Sequence, residues 1–234
     1  QVFEKDLGPQ SDKLAKAMQL VSTRIDVYVE IDVGQGRCGV PPGAAAVPLA
    51  RAIELHASMR FAGLQAYNGK LQHIRSMAER RAAVAEVAQQ IQRTRDALTE
   101  AGIEVPLVTG GGSGAFAAEV ATGQYGEIQA GSYVFLDAEY ADNERDPSQP
   151  DFEHSLFVLT QVTSVGPDRA VCDAGHKSHA IDAGLPTVHA LPGQPALTLA
   201  NGGDEHGVLR SADGSGALPR IGDLLWLIPG HCDP

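Results

Sequence analysis

Glu104-Val105-Pro106-Leu107-Val108-Thr109-Gly110-Gly111-Gly112-Ser113-Gly114-Ala115-Phe116 decides how the first part of the chain folds. A short apolar run over 104–109 reads as a strand, the glycines as a tight turn, and the Ala-Phe that follows as the opening of a helix. Upstream, a long helix is predicted from Ser76 to about Ala101. Ser76 and Glu79 form a capping box, Met77, Val84, Val87, Ile91 and Leu98 recur at helical spacing, and Gly102 closes the helix. Working outward, Arg60 to Ala66 and Asp26 to Val33 read as strands, Ala44 to His56 as a helix, and Asp12 to Val21 as a helix capped by Ser11. Downstream, Glu127 to Leu136 reads as a fourth strand. Four strands separated by helices imply parallel pairing, and so an α/β sheet or barrel.

After residues 142–153, charged and Pro-containing, the texture changes. Ser155 to Val165, Arg169 to Asp173, Ala196 to Leu199, Gly207 to Arg210 and Asp223 to Ile228 are short β-type runs punctuated by Gly and Pro, with no long helical period. The expected division is an α/β domain over 1–146 and an all-β domain over 151–234.

The net charge of −11 argues against nucleic acid or an anionic membrane as partner, since both call for a basic surface. No apolar run approaches the roughly 20 residues of a membrane span, and the first residues lack the basic and apolar regions of a signal peptide, so a cytoplasmic location is expected. Cys38, Cys172 and Cys232, odd in number and widely spaced, suggest neither a disulfide framework nor a Cys-rich zinc site.

Several groupings carry chemistry. The glycines after Thr109 allow successive N–H groups to face one point, as in a phosphate cradle; a plain glycine-rich turn fits the same residues. Arg37, just past Asp32 and Gly34, stands at the C-terminal end of a strand, where ligands bind in parallel α/β units, although a solvated loop arginine accounts for it as well. Tyr67 ends the next strand, with His73 six residues on. Both are placed to line the same mouth, or to be an interfacial aromatic and a loop histidine with no duty. Finally, His231 and Asp233 stand at i and i+2, so their side chains point the same way on an extended segment. Imidazole plus carboxylate suits Mn²⁺, Zn²⁺ or Fe²⁺; surface coincidence is the competing explanation. Cys232, on the opposite face, is expected to pack.

Taken together, "VEIDVGQGRCGV", "FAGLQAYNGKLQH", "VTGGGSGAF", "EIQAGSYVFLD", "DAGHKSHAIDAGLP", "DEHGVL" and "LLWLIPGHCDP" resemble, in order, blocks of the D-threonine aldolases. These are pyridoxal 5′-phosphate enzymes of the alanine racemase fold type, related to the D-serine dehydratases. The resemblance runs from about Arg24 onward and implies a TIM-like barrel followed by a β-domain. By the same resemblance, Arg37 contacts the phenolic oxygen of the cofactor and Tyr67 lies beside its reactive carbon. The turn of Thr109, Gly110, Gly111 and Gly112 and the segment Gly131, Ser132, Tyr133 hold its phosphate. Gln129 falls where alanine racemases place an arginine near the pyridine nitrogen. His231 and Asp233 match the family's divalent-metal ligands. D-serine dehydratases carry cysteine at the second of these positions and use zinc, so Asp233 points to the aldolase and to manganese. The implied reaction is retro-aldol cleavage of a β-hydroxy-D-amino acid, D-threonine giving glycine and acetaldehyde. His73 or a metal-bound water is then the base for the β-hydroxyl.

The resemblance also implies a lysine bonded to the cofactor on the first barrel strand. Lys5, Lys13, Lys16, Lys70 and Lys177 do not stand in a matching context. The expectation is therefore the C-terminal half of a TIM-like (β/α)8 barrel, four βα units followed by an incomplete β-domain, inactive alone, with a homodimer as the assembly in view. The alternatives are a D-serine dehydratase-like lyase, a non-catalytic half-barrel that binds a phosphate ligand, and a metal hydrolase built on His231, Asp233 and His206.

Overall fold

The computed structural model describes residues 7–233, with side chains from residue 12 onward. The Ser11 side chain and Lys5 lie outside the described residues. The chain divides into two compact units, Gln1–Gly131 with Arg145–Gln149, and Ser132–Glu144 with Pro150–Pro234.

In the first unit the order is α1 (Leu7–Leu20), β1 (Ile25–Glu30), α2 (Ala46–Glu54), β2 (Met59–Ala66), α3 (Met77–Glu100), β3 (Val108–Gly110), α4 (Phe116–Ala121) and β4 (Glu127–Ile128). The strands form one parallel sheet in the order β1-β2-β3-β4. Parallel neighbours need a crossover, and α2, α3 and α4 supply one each. Val27, Val29 and Ile31 are buried in one core with Ala46, Ala50 and Ile53 of α2 and Val84, Val87, Ile91 and Leu98 of α3. The last four are the helical stripe legible in the sequence. Ser76 caps α3, its hydroxyl accepting from the Glu79 N–H, and Gly102 ends it at φ +75°, with the Ile103 N–H donating to Leu98 O.

Several boundaries differ from expectation. Helix α1 begins at Leu7, so Ser11 lies within it and is not its cap. Strand β1 stops at Glu30, after which Ile31 makes only an isolated bridge to Val40. Strand β3 starts at Val108 because Pro106, just before it, has no N–H to give a ladder. The fourth strand keeps only Glu127–Ile128. A 3-10 turn over Ser132–Val134 replaces the rest, and Leu136 turns the chain at φ +47°.

The second unit begins with that turn and α5 (Ala138–Ala141), followed by β5 (Val158–Val165), β6 (Ala170–Cys172), β7 (Thr187–Val188), β8 (Leu197–Asn201), β9 (Gly207–Ser211) and β10 (Leu224–Ile228). The strands pair in the order β7-β10-β5-β6-β9-β8, with β7 too short to be read from sequence. The edge strands β7 and β8 approach one another, so the sheet nearly closes on itself. Val162, Ala170, Cys172, Leu197, Leu209, Leu225 and Leu227 fill its interior. The expected domain limit near residues 146–151 differs from this division, because Ser132–Glu144 groups with the β-rich unit. The Ala138 and Glu139 N–H groups donate to Pro229 O and Gly230 O, which ties α5 to the strand end that carries His231. Among the described residues, no helix is long and apolar enough to cross a membrane.

Gly63 sits where the β1–β2 register shifts, at φ +140°, and a Cβ there would lie 1.8 Å from Leu107 O. Gly102 has a positive φ as well, but its Cβ would meet nothing within 4 Å. Gly63→Ala is expected to cost roughly 3 kcal/mol or more, since strands β2 and β3 must part, and Gly102→Ala only about 1 kcal/mol. Urea unfolding midpoints of the two variants against the parent check the contrast.

Candidate functional site

In the first unit, register puts Glu30, Gln65, Thr109 and Glu127 in one row across the sheet, on the face opposite Val27 and Val29. The row is hydrogen-bonded. Thr109 Oγ1 donates to Glu127 Oε1 (2.5 Å), and Gln129 Nε2 donates to Thr109 Oγ1 (3.0 Å) and to Gln65 Oε1 (2.6 Å). A hollow of about 200 Å³ on this unit is lined by Asp26, Tyr28, Thr109, Glu127 and Gln129. Glu30 ends the row buried, its Oε2 without a partner. Burial pushes its carboxyl above the usual range, and Arg37 opposes that shift.

Arg37 is carried by the loop after β1, whose shape is set by Asp32: its Oδ1 accepts from the N–H groups of Gly34 (3.0 Å) and Gly36 (2.9 Å). The Arg37 guanidinium stands 5.7 Å from the centre of the Tyr67 ring, so these two residues do come together. His73 lies exposed at the end of a 3-10 turn, Gly69–His73, that follows Tyr67. Lys70, in the same turn, donates to Gly34 O (3.1 Å).

The glycine turn is occupied from beneath. The Gly112 N–H donates to Glu119 Oε2 (3.0 Å), and the Gly114 and Ala115 N–H groups both donate to Gln72 Oε1 (2.9 Å each). Gln72 Nε2 in turn donates to Glu119 Oε1 (3.1 Å). The glycines are required by this packing: a Cβ on Gly111 would lie 2.5 Å from Glu119 Oε2, and one on Gly114 2.2 Å from Gln72 O. Burial raises the Glu119 carboxyl to about 7, against the lowering effect of the Gly112 N–H and the Gln72 amide. Neither Glu119 nor Gln72 was legible as a site residue, because a lone Glu in an alanine-rich helix and a Gln in a loop carry no spacing signal.

In the second unit Asp137 organises the chain end. It is buried, caps α5 by accepting from the Tyr140 N–H (2.9 Å), and with Oδ2 accepts from His231 Nδ1 (2.7 Å) and the Cys232 N–H (3.0 Å). Donation from Nδ1 leaves the His231 Nε2 lone pair facing Asp233 Oδ2 at 3.3 Å. Two acceptors at that distance need a proton or a cation between them. Ser132 Oγ donates to Asp233 Oδ1 (3.3 Å), while Tyr133 is exposed and packs its ring toward Phe152. Cys232 is not turned away as expected, since its Sγ shares a ligand-sized cluster with Asp137 and His231. Burial and the Asp137 carboxylate push its thiol up to about 11. His206 lies instead toward Asp173, whose carboxylate is held low by the Thr160 hydroxyl, the Gln161 N–H and, to a lesser extent, His206.

The donor sets can be weighed against their groups. Around His231, a carboxylate orients one ring nitrogen and leaves the other beside a second carboxylate, which is the arrangement of a histidine metal ligand. In the first unit, an aromatic ring, a guanidinium and a hydrogen-bonded amide row are suited to a planar, polar-edged cofactor. Asp137 is the residue sequence reasoning missed at the metal-type site, being 94 residues from His231.

Comparison with known proteins bears on both units. Residues 9–139 match the alanine racemase N-terminal domain and residues 155–234 a serine dehydratase domain. A D-threonine aldolase of Arthrobacter sp. is 44% identical over 95% of this chain and 58% of its own length. A 3-hydroxy-D-aspartate aldolase of Paracoccus denitrificans is 40% identical over 94% and 57%. The crystal structure of D-threonine aldolase from Filomicrobium marinum superposes with a TM-score of 0.88 at 41% identity, over 97% of this chain and 60% of that one. The chain thus spans about three-fifths of the length of these relatives, and the fold is that of the alanine racemase type, a TIM-barrel domain with a mostly β domain.

Asp137→Asn should leave an amide N–H facing a donor, either Tyr140 N–H or the His231–Cys232 pair. A loss of about 1–3 kcal/mol in urea unfolding is expected. An unchanged midpoint would show that Asp137 does not hold the chain end.

Proposed function

The chain belongs to the alanine racemase N-terminal domain family, and from that membership we propose that it serves a pyridoxal 5′-phosphate- and divalent-metal-dependent retro-aldol cleavage of β-hydroxy-D-amino acids. The observation that carries the metal dependence is His231: its Nδ1 is anchored on buried Asp137, and its Nε2 faces Asp233 at 3.3 Å. Relatives named as D-threonine aldolase and 3-hydroxy-D-aspartate aldolase support the reaction class and a small β-hydroxy amino acid as substrate.

The cofactor, when bound, supplies an electron sink for the carbanion left as the Cα–Cβ bond breaks. The cation, for which manganese is the proposed ion, supplies the fixed positive charge that a developing alkoxide needs in a site with little water. The chain's own residues do the holding and the proton work. Arg37 and Tyr67 orient the ring edge, and Gln129, itself held by Gln65 and Thr109, presents a neutral amide to the pyridine nitrogen. Thr109, Gly110, Gly111 and the Gly131–Tyr133 segment take the phosphate. Because the hydroxyl of Thr109 is committed to Glu127 and Gln129, its share falls to the backbone. His231 and Asp233 hold the metal, with Asp137 fixing the imidazole. His73, exposed after the Tyr67 turn, takes the β-hydroxyl proton. The lysines described are committed elsewhere or lie on the surface: Lys70 bonds Gly34 O, Lys177 pairs with Asp204 and Glu205, and Lys13 and Lys16 are exposed or nearly so on α1. This chain alone is therefore proposed to lack the lysine step and to be inactive.

The test assays the chain, alone and joined to the additional length that its relatives possess, with pyridoxal 5′-phosphate, D-threonine, L-threonine and D-3-hydroxyaspartate. Glycine and aldehyde are expected from the D-substrates in the joined form, lost with EDTA and restored by Mn²⁺. Asp233→Ala should weaken Mn²⁺ at least about tenfold. Ammonia and a 2-oxo acid as products would move the assignment to a dehydratase.

A further inference from the structure

The hydrogen-bonded row across the parallel sheet has a direction, and that direction limits what a ligand beside it can be. Which end of an amide faces a neighbour follows from what the neighbour can donate or accept. Glu127, as a carboxylate, only accepts, so the one hydrogen of the Thr109 hydroxyl goes to Glu127 Oε1. Thr109 Oγ1 is then left to accept from Gln129, which turns the Gln129 nitrogen toward it. The opposite orientation would bring two oxygens together with no hydrogen between them. The second Nε2 hydrogen goes to Gln65 Oε1 (2.6 Å), while Gln65 Nε2 returns a longer bond to Gln129 Oε1 (3.3 Å). Both amide hydrogens of Gln129 are thus committed. What it has left to offer, in the hollow that it lines, is a lone pair on Oε1.

We propose that Thr109 is a positioning residue that turns the Gln129 oxygen outward as an acceptor, so that an aromatic nitrogen ligand at this point is held in its protonated N–H form. That the ligand is the pyridine ring of pyridoxal 5′-phosphate rests on the function proposed above. An acceptor facing a ring nitrogen favours the protonated ring and raises its titration midpoint, whereas a cation there lowers it. A protonated ring also withdraws electrons more strongly than a neutral one, which is what an electron sink needs. The charged and titratable groups by this face are Asp26, Tyr28 and Glu30 of β1, Arg60 of β2, Glu127 of β4 and Arg37 of the loop after β1. Asp26 and Arg60 are joined as an ion pair, and the charge of Arg37 opposes that of Glu30. Buried Glu30 Oε2 meets no donor among the described residues, so this face is short of donors, not of acceptors.

Two measurements test this. In the ¹⁵N-labelled chain without ligand, both side-chain amide hydrogens of Gln129 should exchange about tenfold more slowly than those of exposed Gln19. Thr109→Val keeps the shape but has no hydroxyl, and should release one of the two; Thr109→Ser should hold both. Exchange of the parent pair at the Gln19 rate overturns the proposal, whatever the cofactor does. The second measurement is a pH titration of the ring-¹⁵N signal of labelled pyridoxal 5′-phosphate bound to the joined form. The parent and Thr109→Ser should titrate about one pH unit above Thr109→Val. Because Thr109→Val leaves the Glu127 charge in place, equal midpoints would mean that charge alone governs the ring, and the proposal falls. Should Thr109→Val fail to fold, the parent decides: a ring nitrogen bound in its unprotonated form at neutral pH also overturns it. Protected Gln129 hydrogens with no cofactor bound would overturn the function proposed above while the orientation of Gln129 stands.

Discussion

A carboxylate removed from water is costly unless donors answer its lone pairs, and two buried carboxyl groups, Glu119 and Asp137, have both oxygens so answered, one in each unit of this chain. Asp137 is met by three donors, from Tyr140, His231 and Cys232, and in accepting them it fixes a helix start and the last strand's exit together. Glu119 is met by Gly112 and Gln72, and Gln72 passes the constraint on to Gly114 and Ala115. Each acid thus orders a segment that lacks a regular hydrogen-bond ladder.

The two acids differ in their partners. Glu119 has two donors, one of them a neutral side-chain amide, and its proton is held to about 7. Asp137 has backbone donors at both oxygens and a histidine besides. Asp137, paired at both oxygens, serves as a fixed strut behind a metal-type ligand. The apolar sheet face beneath the helices asks for no such devices, and Val, Ile, Leu and Ala fill it.

Most of the fold was legible in the sequence. The α3 stripe and its capping box, the Gly102 stop, and the alternation of strand and helix follow from local periodicity, which does not depend on distant neighbours. The failures also have local causes. Pro106 silenced half of one strand, and the polar, glycine-containing residues after Ile128 gave way to a 3-10 turn. Of the candidate site residues, Arg37 and Tyr67 meet, as do His231 and Asp233, each pair placed by strand ends or by the period of two.

The sequence by itself determined the class of fold, the family resemblance and the residue types able to hold a cofactor and a metal, because periodicity and short spacings are carried by neighbours along the chain. Only the tertiary structure decided which polar groups are answered and by whom. Asp137 reaches His231 across 94 residues, and Gln72 reaches Glu119 across 47. Hydrogen-bond satisfaction is a property of burial in three dimensions and leaves no periodic trace in the chain.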